Sequence, residues 1–342
     1  MPARPRLTPA MADVRRAVRD GFALAGMASG DLVLVACSGG ADSLALAAAT
    51  AFEGPRAGLR VGAIVVEHGL QEGTATVAVE TAARLESLGI APVRVVPVTV
   101  GIDGGLEAAA RTARYSALEA AAVELGAKAV LLGHTRNDQA ETVLLGLARG
   151  SGLRSIAGMA VVTPSATPGL RWVRPLLDIS RATTEAFCSD SGLEFWVDPH
   201  NSDPSFARVR VRDQALPALQ ETLGSSVVES LARTATLVQE DLEYLEAESE
   251  AAYRRLVKVG ATGLSVSVAD LAALARPIGS RVIHRCISLI GEAPGKTHVD
   301  QVLELVLNWH GQKELTLPGV RVVRQGDAIT FKSSKTLRPG AC

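Results

Sequence analysis

The chain has 342 residues, 47% of them hydrophobic and 21% charged, enough for a sizeable core spread over about two domains. Its four cysteines, Cys37, Cys188, Cys286 and Cys342, form no CxxC pair, which argues against a zinc site or a disulfide framework and for thiols in a reducing cytoplasm. No apolar run approaches a membrane span, and the net charge of −1 conceals a division: residues 213–250 carry nine acids against one Arg, whereas 251–342 carry thirteen Lys or Arg against six acids.

Residues 1–27 contain arginines and prolines but no apolar signal core, and read as a tail followed by an amphipathic helix. Beyond them the β-like runs "DLVLVACS", "LRVGAIVVEH", "VRVVPVTV" and "AKAVLLGH" alternate with helical stretches that begin at Asp42, Thr74, Leu106 and near Asn137. Such alternation predicts an α/β fold over 28–216, a Rossmann-like parallel sheet with helices on both faces. The segment "MAVVTPSATPGLRWVRP" reads as a loop before a short strand. Leu231, Ala235, Val238, Leu242 and Leu245 share one face of a long helix, which predicts an acidic helical connector over 217–250. Residues 251–335 mix short helices with a terminal β pattern, "KELTLPGVRVVRQGDAITFK", turning at Pro318-Gly319 and Gly326-Asp327. That is a small α+β domain whose basic surplus suits a polyanionic partner, and 336–342 form a tail.

Chemistry-bearing residues gather where strands end, the edge at which open parallel sheets bind ligands. After the first strand stands "SGGADS". A tight strand-to-helix turn would account for one glycine. A phosphate cradle accounts for both: Ser38, Gly39, Gly40, Ala41, Asp42 and Ser43 offer backbone N–H groups and hydroxyls to an anion. No Walker A lysine and no GxGxxG follow. An Asp42 carboxylate beside phosphates would repel them unless it held Mg²⁺; helix capping is the simpler alternative. The fourth strand runs into "GHTRNDQAET", where His134, Asp138 and Glu141 lie on one helical stripe, suited to a metal, an ammonium group or plain solvent exposure. Glu107, Arg111 and Arg114 form another stripe, either a Glu–Arg surface pair or a source of positive charge for a phosphate in transition. "DPHNSDPSFARVRVR" brings Asp198, Asn201, Asp203, Arg208, Arg210 and Arg212 together, in a pattern that a basic edge strand would share.

Taken in order, "SGGADS", "HGL", "LEAAARTARY", "LGHTRNDQAETVLLGLARGSG", "RPLL" and "DPHNSDPSFARVRVR" resemble the PP-loop ATP pyrophosphatase superfamily and, within it, the tRNA(Ile)-lysidine synthetase family, over roughly residues 30–217. "HVDQVLELV" and "LTLPGVRVVR" extend the resemblance loosely to the C-terminal part. Glu67 stands where the family usually has Asp, and Val209 where it usually has Asn. The resemblance implies an enzyme that uses ATP and Mg²⁺ to adenylate C2 of the wobble cytidine of a minor tRNA(Ile) with a CAU anticodon, and then lets free L-lysine displace AMP. It implies Asp42, Arg111, His134 and Asp138 as catalytic, Asp42 on the metal, His134, Asp138 and Glu141 at the lysine, and Arg208, Arg210 and Arg212 on the tRNA. It admits a homodimer and involves no membrane. A related tRNA thiolase would be expected to carry cysteine pairs, an amidating synthetase an ammonia route, and a nucleotide sensor binding without turnover.

Overall fold

In the computed structural model, which describes residues 7–67, 74–98, 106–150, 152–197, 203–261 and 263–334, the chain divides into two units, Met1–Gln239 and Glu240–Cys342. The N-terminal unit opens with helix α1 (Pro9–Leu24). Thr8 caps it by accepting from the Met11 N–H, and Pro9 stands in its first turn, where no N–H is missed. Its face of Met11, Val14, Val18 and Phe22 is buried. The six-stranded sheet that follows has β1 (Leu32–Ala36), β2 (Arg60–Glu67), β3 (Val93–Pro97), β4 (Ala129–Leu132), β5 (Val162–Pro164) and β6 (Arg171–Val173) in the spatial order β3-β2-β1-β4-β6-β5. All neighbours are parallel except β5 and β6. Strands β1 and β4 are apolar throughout because helices cover both faces of a parallel sheet. Helices α2 (Ala41–Glu53), α3 (Thr74–Ser87), α4 (Leu106–Leu125), α5 (Arg136–Arg149), α6 (Leu153–Ile156) and α7 (Arg181–Asp190) accompany these strands.

This topology positions the site. From β1 the chain moves outward through β2 and β3, then returns to the other side of β1 for β4 and β6. The crevice beyond the carboxyl ends of β1 and β4 is therefore the point where strand order reverses. The register aligns those ends, with Ala36 beside both Ile64 and Leu132.

The four expected strands and the helices between them are present. One reading needs correction, and one alternative drops out. The Pro- and Thr-rich segment before β6 is not all loop: Val162–Pro164 pairs antiparallel with Arg171–Val173. The alternating Arg208, Arg210 and Arg212 do not form an edge strand. They lie on α8 (Ala207–Arg210) and on a π-type turn, Val211–Ala215. The period of two is coincidental: Val209 is buried, while the helical turn sends Arg208 and Arg212 to one side and Arg210 to another. Helix α9 (Leu216–Leu223) leads to α10 (Val227–Leu256), a 30-residue helix that contains the boundary between the units.

The C-terminal unit holds β7 (Lys258–Gly260), β8 (Gly263–Ser267), β9 (Leu315–Leu317), β10 (Val320–Gln325) and β11 (Ala328–Ser333), an antiparallel sheet in the order β7-β8-β11-β10-β9. Helices α11 (Val268–Ala273), α12 (Arg276–Ile290) and α13 (Lys296–Leu307) complete it. Its core includes Ile283, Cys286, Ile287, Val302, Val322 and Phe331. The turns fall at Pro318-Gly319 and Gly326-Asp327, as read from the sequence, and Gly319 (φ 75°) and Gly326 (φ 59°) take backbone conformations that favour glycine.

Candidate active site

The "SGGADS" stretch is the connection from β1 to α2. Gly39 has φ 84°, and a Cβ there would meet Thr81 Oγ1 at 2.7 Å, so the loop is both left-handed and pressed against α3. Gly40 starts α2 without a side-chain cap, so the first N–H groups of the helix are left for a ligand or solvent. Ser43 closes the loop on itself: its hydroxyl donates to Gly40 O at 2.9 Å and accepts from the Ser38 N–H at 3.2 Å. The loop is seated closely on β4, since a Cβ on Gly133 would lie 3.1 Å from the Ser43 backbone.

A cavity of about 270 Å³ opens over this loop. Its floor is apolar, with Ile64, Val66, Leu118 and Leu132; Phe195, Trp196 and Val197 also line it. The Trp196 N–H donates to Gly39 O at 3.0 Å, tying that segment to the cradle. The charged groups lining it are Asp42, Arg114, Asp138, Arg181 and Arg212, together with His134. Three helices begin here. Beside α2, α5 starts after Thr135 and α7 after Ser180, and the two are docked through the Arg136 N–H on Ile179 O (2.9 Å) and the Arg181 N–H on Asn137 Oδ1 (3.0 Å). Converging N-termini and arginines make the cavity electropositive.

Within that field two carboxylates stand apart. Asp42 accepts from the buried Thr184 hydroxyl. Burial pushes its pKa up to about 6, Asp138 adds to the rise, and Thr184 and Arg181 pull against it. Asp138 Oδ2 accepts from both the N–H and the hydroxyl of Thr135 at 2.8 Å. Burial works against its charge, but His134, the Thr135 bonds and Arg208 outweigh it and the pKa falls. His134 moves the other way: burial, helped by Arg174, Arg114 and Arg111, holds it down at about 3 against the pull of Asp138. It is a neutral imidazole near neutrality, and its buried Nδ1 has no partner among the described residues.

Several sequence-marked residues fall elsewhere than expected. Glu141 is wholly buried and does not line the cavity. Arg212 grips it bidentately (2.6 and 3.1 Å), and Arg208 stands 3.4 Å away. Burial still pushes the Glu141 carboxyl up. Arg210 donates to Pro204 O and Ser205 O. Arg111 is exposed over Tyr115, and it is Arg114, one turn on, that lines the cavity. Arg181, Phe195 and Trp196 line the cavity without having been expected there, and buried Arg174, bonded to Ala160 O and Thr163, acts on His134 from behind it. "RPLL" marks the neighbourhood of Arg174, and nothing local marks the others. Residues 68–70, Asp198, Asn201 and the Glu107 side chain lie outside the described residues.

One carboxylate facing an anion cradle fits Mg²⁺, which binds through one or two carboxylates and the phosphates themselves. The raised pKa of Asp42 marks a charge that its surroundings leave poorly compensated. Among the described residues no cluster of three or more His, Cys, Asp or Glu forms an all-protein metal site.

Comparison with known proteins agrees with this geometry. Residues 14–219 match the PP-loop domain family, and 267–330 match the TilS substrate binding domain. The tRNA(Ile)-lysidine synthase of Thermobifida fusca (strain YX) is 51% identical over 324 residues, 94% of this chain and 95% of the relative. Those of Leifsonia xyli subsp. xyli (50% over 307 residues, 89% and 91%) and Streptomyces coelicolor (49% over 315 residues, 90% and 87%) are similarly close. Among solved structures, the U34-tRNA thiolase NcsA from Methanococcus maripaludis shares the fold, with a TM-score of 0.55 at 18% identity over 67% of this chain and 80% of that one. No helix among the described residues is long and apolar enough to cross a membrane. With half of its residues shared along nearly its whole length, the chain belongs to the tRNA(Ile)-lysidine synthase family of ATP-dependent ligases.

Proposed function

We propose how this enzyme divides the labour of its reaction, the ATP-dependent ligation of lysine to the wobble cytidine of tRNA(Ile). The cradle from Ser38 to Ser43 holds the ATP phosphates, and the apolar floor receives the nucleoside. Asp42 holds Mg²⁺, which when bound offsets phosphate charge. The wobble base of a CAU anticodon, splayed from its loop as single-stranded bases are in RNA recognition, enters against Phe195 and Trp196. Its C2 oxygen attacks the α-phosphorus and pyrophosphate leaves. Arg114 faces the charge that develops, the role the sequence had suggested for Arg111.

Free L-lysine then binds with an ammonium group at Asp138. Its reacting amine must lose a proton, and neutral His134 is the acceptor beside it. That amine attacks C2, and AMP departs. Glu141 contributes at one remove, by fixing Arg212 and Arg208 against α5. Arg208, Arg210 and Arg212 and the basic stretch 251–342 engage the tRNA backbone.

The observation that carries this reading is the cavity at the strand-order reversal, where three helix N-termini meet Asp42 and Asp138. It is tested by following pyrophosphate and lysidine separately. Pyrophosphate release should require ATP and the CAU-anticodon tRNA, and lysidine should require lysine in addition. Pyrophosphate release without tRNA, or transfer of sulfur or ammonia in place of lysine, would contradict it.

A further inference from the structure

The cavity contains three arginines, and two of them have evident employment. Arg212 is bidentate to buried Glu141. Arg114 lies on the α4 wall, close enough to His134 to help hold it neutral, and it feels the charge of Asp138. Arg181 differs. It is the first residue of α7, its backbone N–H is pinned to Asn137 Oδ1, and its side chain lines the cavity on the Asp42 side. Its one described ion-pair partner is Glu185, four residues on, at 3.2 Å with 37% and 48% of the two side chains exposed. A half-exposed pair of that kind adds little to the stability of a helix. It does not explain why a guanidinium stands at the mouth of an anion cradle.

Resting on the function proposed above, we infer that Arg181 is a catalytic residue that grips the β- and γ-phosphates and stabilises them as pyrophosphate departs. In adenylation the C2 oxygen of the base forms a bond to the α-phosphorus. The bond from that phosphorus to the bridging oxygen breaks, and its electron pair leaves on the β-phosphate. No proton is needed, so the charge that accumulates on pyrophosphate has to be met by fixed positive groups. The uncapped N-terminus of α2 faces it from the backbone, whereas at the start of α7 the Arg181 and Thr183 N–H groups are engaged by Asn137 and Ser180. A guanidinium adds a planar set of donors matched to phosphate oxygens. Because the donors are already in place, little reorganisation is needed as the charge develops. The Asn137 anchor ties the start of α7 to the helix that carries Asp138, so the leaving-group cation and the lysine carboxylate belong to one rigid frame.

The test uses the full-length enzyme with inorganic pyrophosphate as a direct binding probe, together with single-turnover adenylation of tRNA in the absence of lysine. Arg181→Met should weaken pyrophosphate binding about ten- to a hundredfold and slow adenylation about a hundredfold, with tRNA affinity unchanged. Arg181→Lys should recover part of both. Glu185→Gln, which removes the helix pair and lightens the negative charge felt by Asp42, should leave both near wild type. Wild-type pyrophosphate binding by Arg181→Met would overturn the assignment, whether or not adenylation slowed, and so would equal losses in Glu185→Gln. Failure of the wild-type enzyme to release pyrophosphate with tRNA would instead sink the functional reading on which the assignment rests.

Discussion

The two units treat polar groups in opposite ways. Of the ten buried polar or charged residues among those described, nine lie in the N-terminal unit, including Ser43, Glu53, Thr135, Glu141, Arg174 and Thr184; the tenth is Ser249. Apart from Ser249 the buried side chains described in the C-terminal unit are apolar, and its charge is divided, with six acids in 240–250 and thirteen Lys or Arg against six acids in 251–342. Burying a charge is costly unless it is paired and hydrogen-bonded. The N-terminal unit carries that cost at several places, with Ser43 at the cavity, Glu141 held by Arg212 beneath it and Glu53 paired with Arg15 and Arg19 at the other end of α2. The stretch 251–334, whose described basic side chains all stay outside the core, is the part of the C-terminal unit suited to a polyanion.

The largest expected effect breaks the first half of that contrast. Asp42→Asn should lower adenylation at least about a hundredfold and yet stabilise the ligand-free protein. The folded pKa of Asp42, about 6, lies above that of an unfolded carboxylate. The folded state therefore binds more protons between those values, and stability is lost as pH rises through about 6. Removing the charge should return roughly 1–3 kcal/mol at neutral pH. Denaturant titration alongside pyrophosphate release checks both signs, and a destabilised Asp42→Asn would refute the electrostatic account.

Next in size is Asp138→Asn. It should raise the KM for lysine by about tenfold or more, an amount suited to one charge-assisted hydrogen bond, with the KM for ATP little changed. If ATP suffers and lysine does not, Asp138 belongs to the metal.

The second half of the contrast is sharpened by Arg255, Lys313 and Lys332, all exposed on the C-terminal unit. Changing the three to Gln should weaken tRNA binding severalfold. The log–log salt dependence should flatten by about 0.7 for each phosphate that is no longer neutralised, while the ATP KM stays put. An unaltered salt slope would show that this surface does not meet the RNA.

The smallest effect is in the pH profile. The acid limb of kcat/KM for ATP reports the free enzyme and should fall near pH 6 with Asp42, since His134 is held at about 3 and does not titrate there. Thr184 pulls the Asp42 pKa down, so Thr184→Val should move the limb upward by a fraction of a unit. A downward shift would contradict the assignment.

Much of the N-terminal sheet was legible because its strands are apolar runs bounded by turns, and "SGGADS" is chemically unusual enough to announce itself. The C-terminal hairpins were legible from Pro318-Gly319 and Gly326-Asp327. What escaped depended on tertiary packing. Strand β5 is three residues long and carries Thr163 and Pro164, so no local pattern distinguishes it from a loop. The Arg111–Arg114 stripe was visible, but only the packing of α4 decides which arginine faces inward. The "RVRVR" alternation suits a strand and a helix with one buried valine equally well. Arg181 follows an ordinary Ser cap and becomes notable only when α7 docks beside α5.

In the proposed function one cavity runs two separable half-reactions, with Asp42 serving the first and Asp138 the second. The direct measurement is transfer of label from α-³²P-ATP to tRNA with lysine withheld and then added. Asp138→Asn should load the tRNA with labelled AMP and release it only at raised lysine, whereas Asp42→Asn should load none. Loading by Asp42→Asn, or failure of Asp138→Asn to load, would contradict the account.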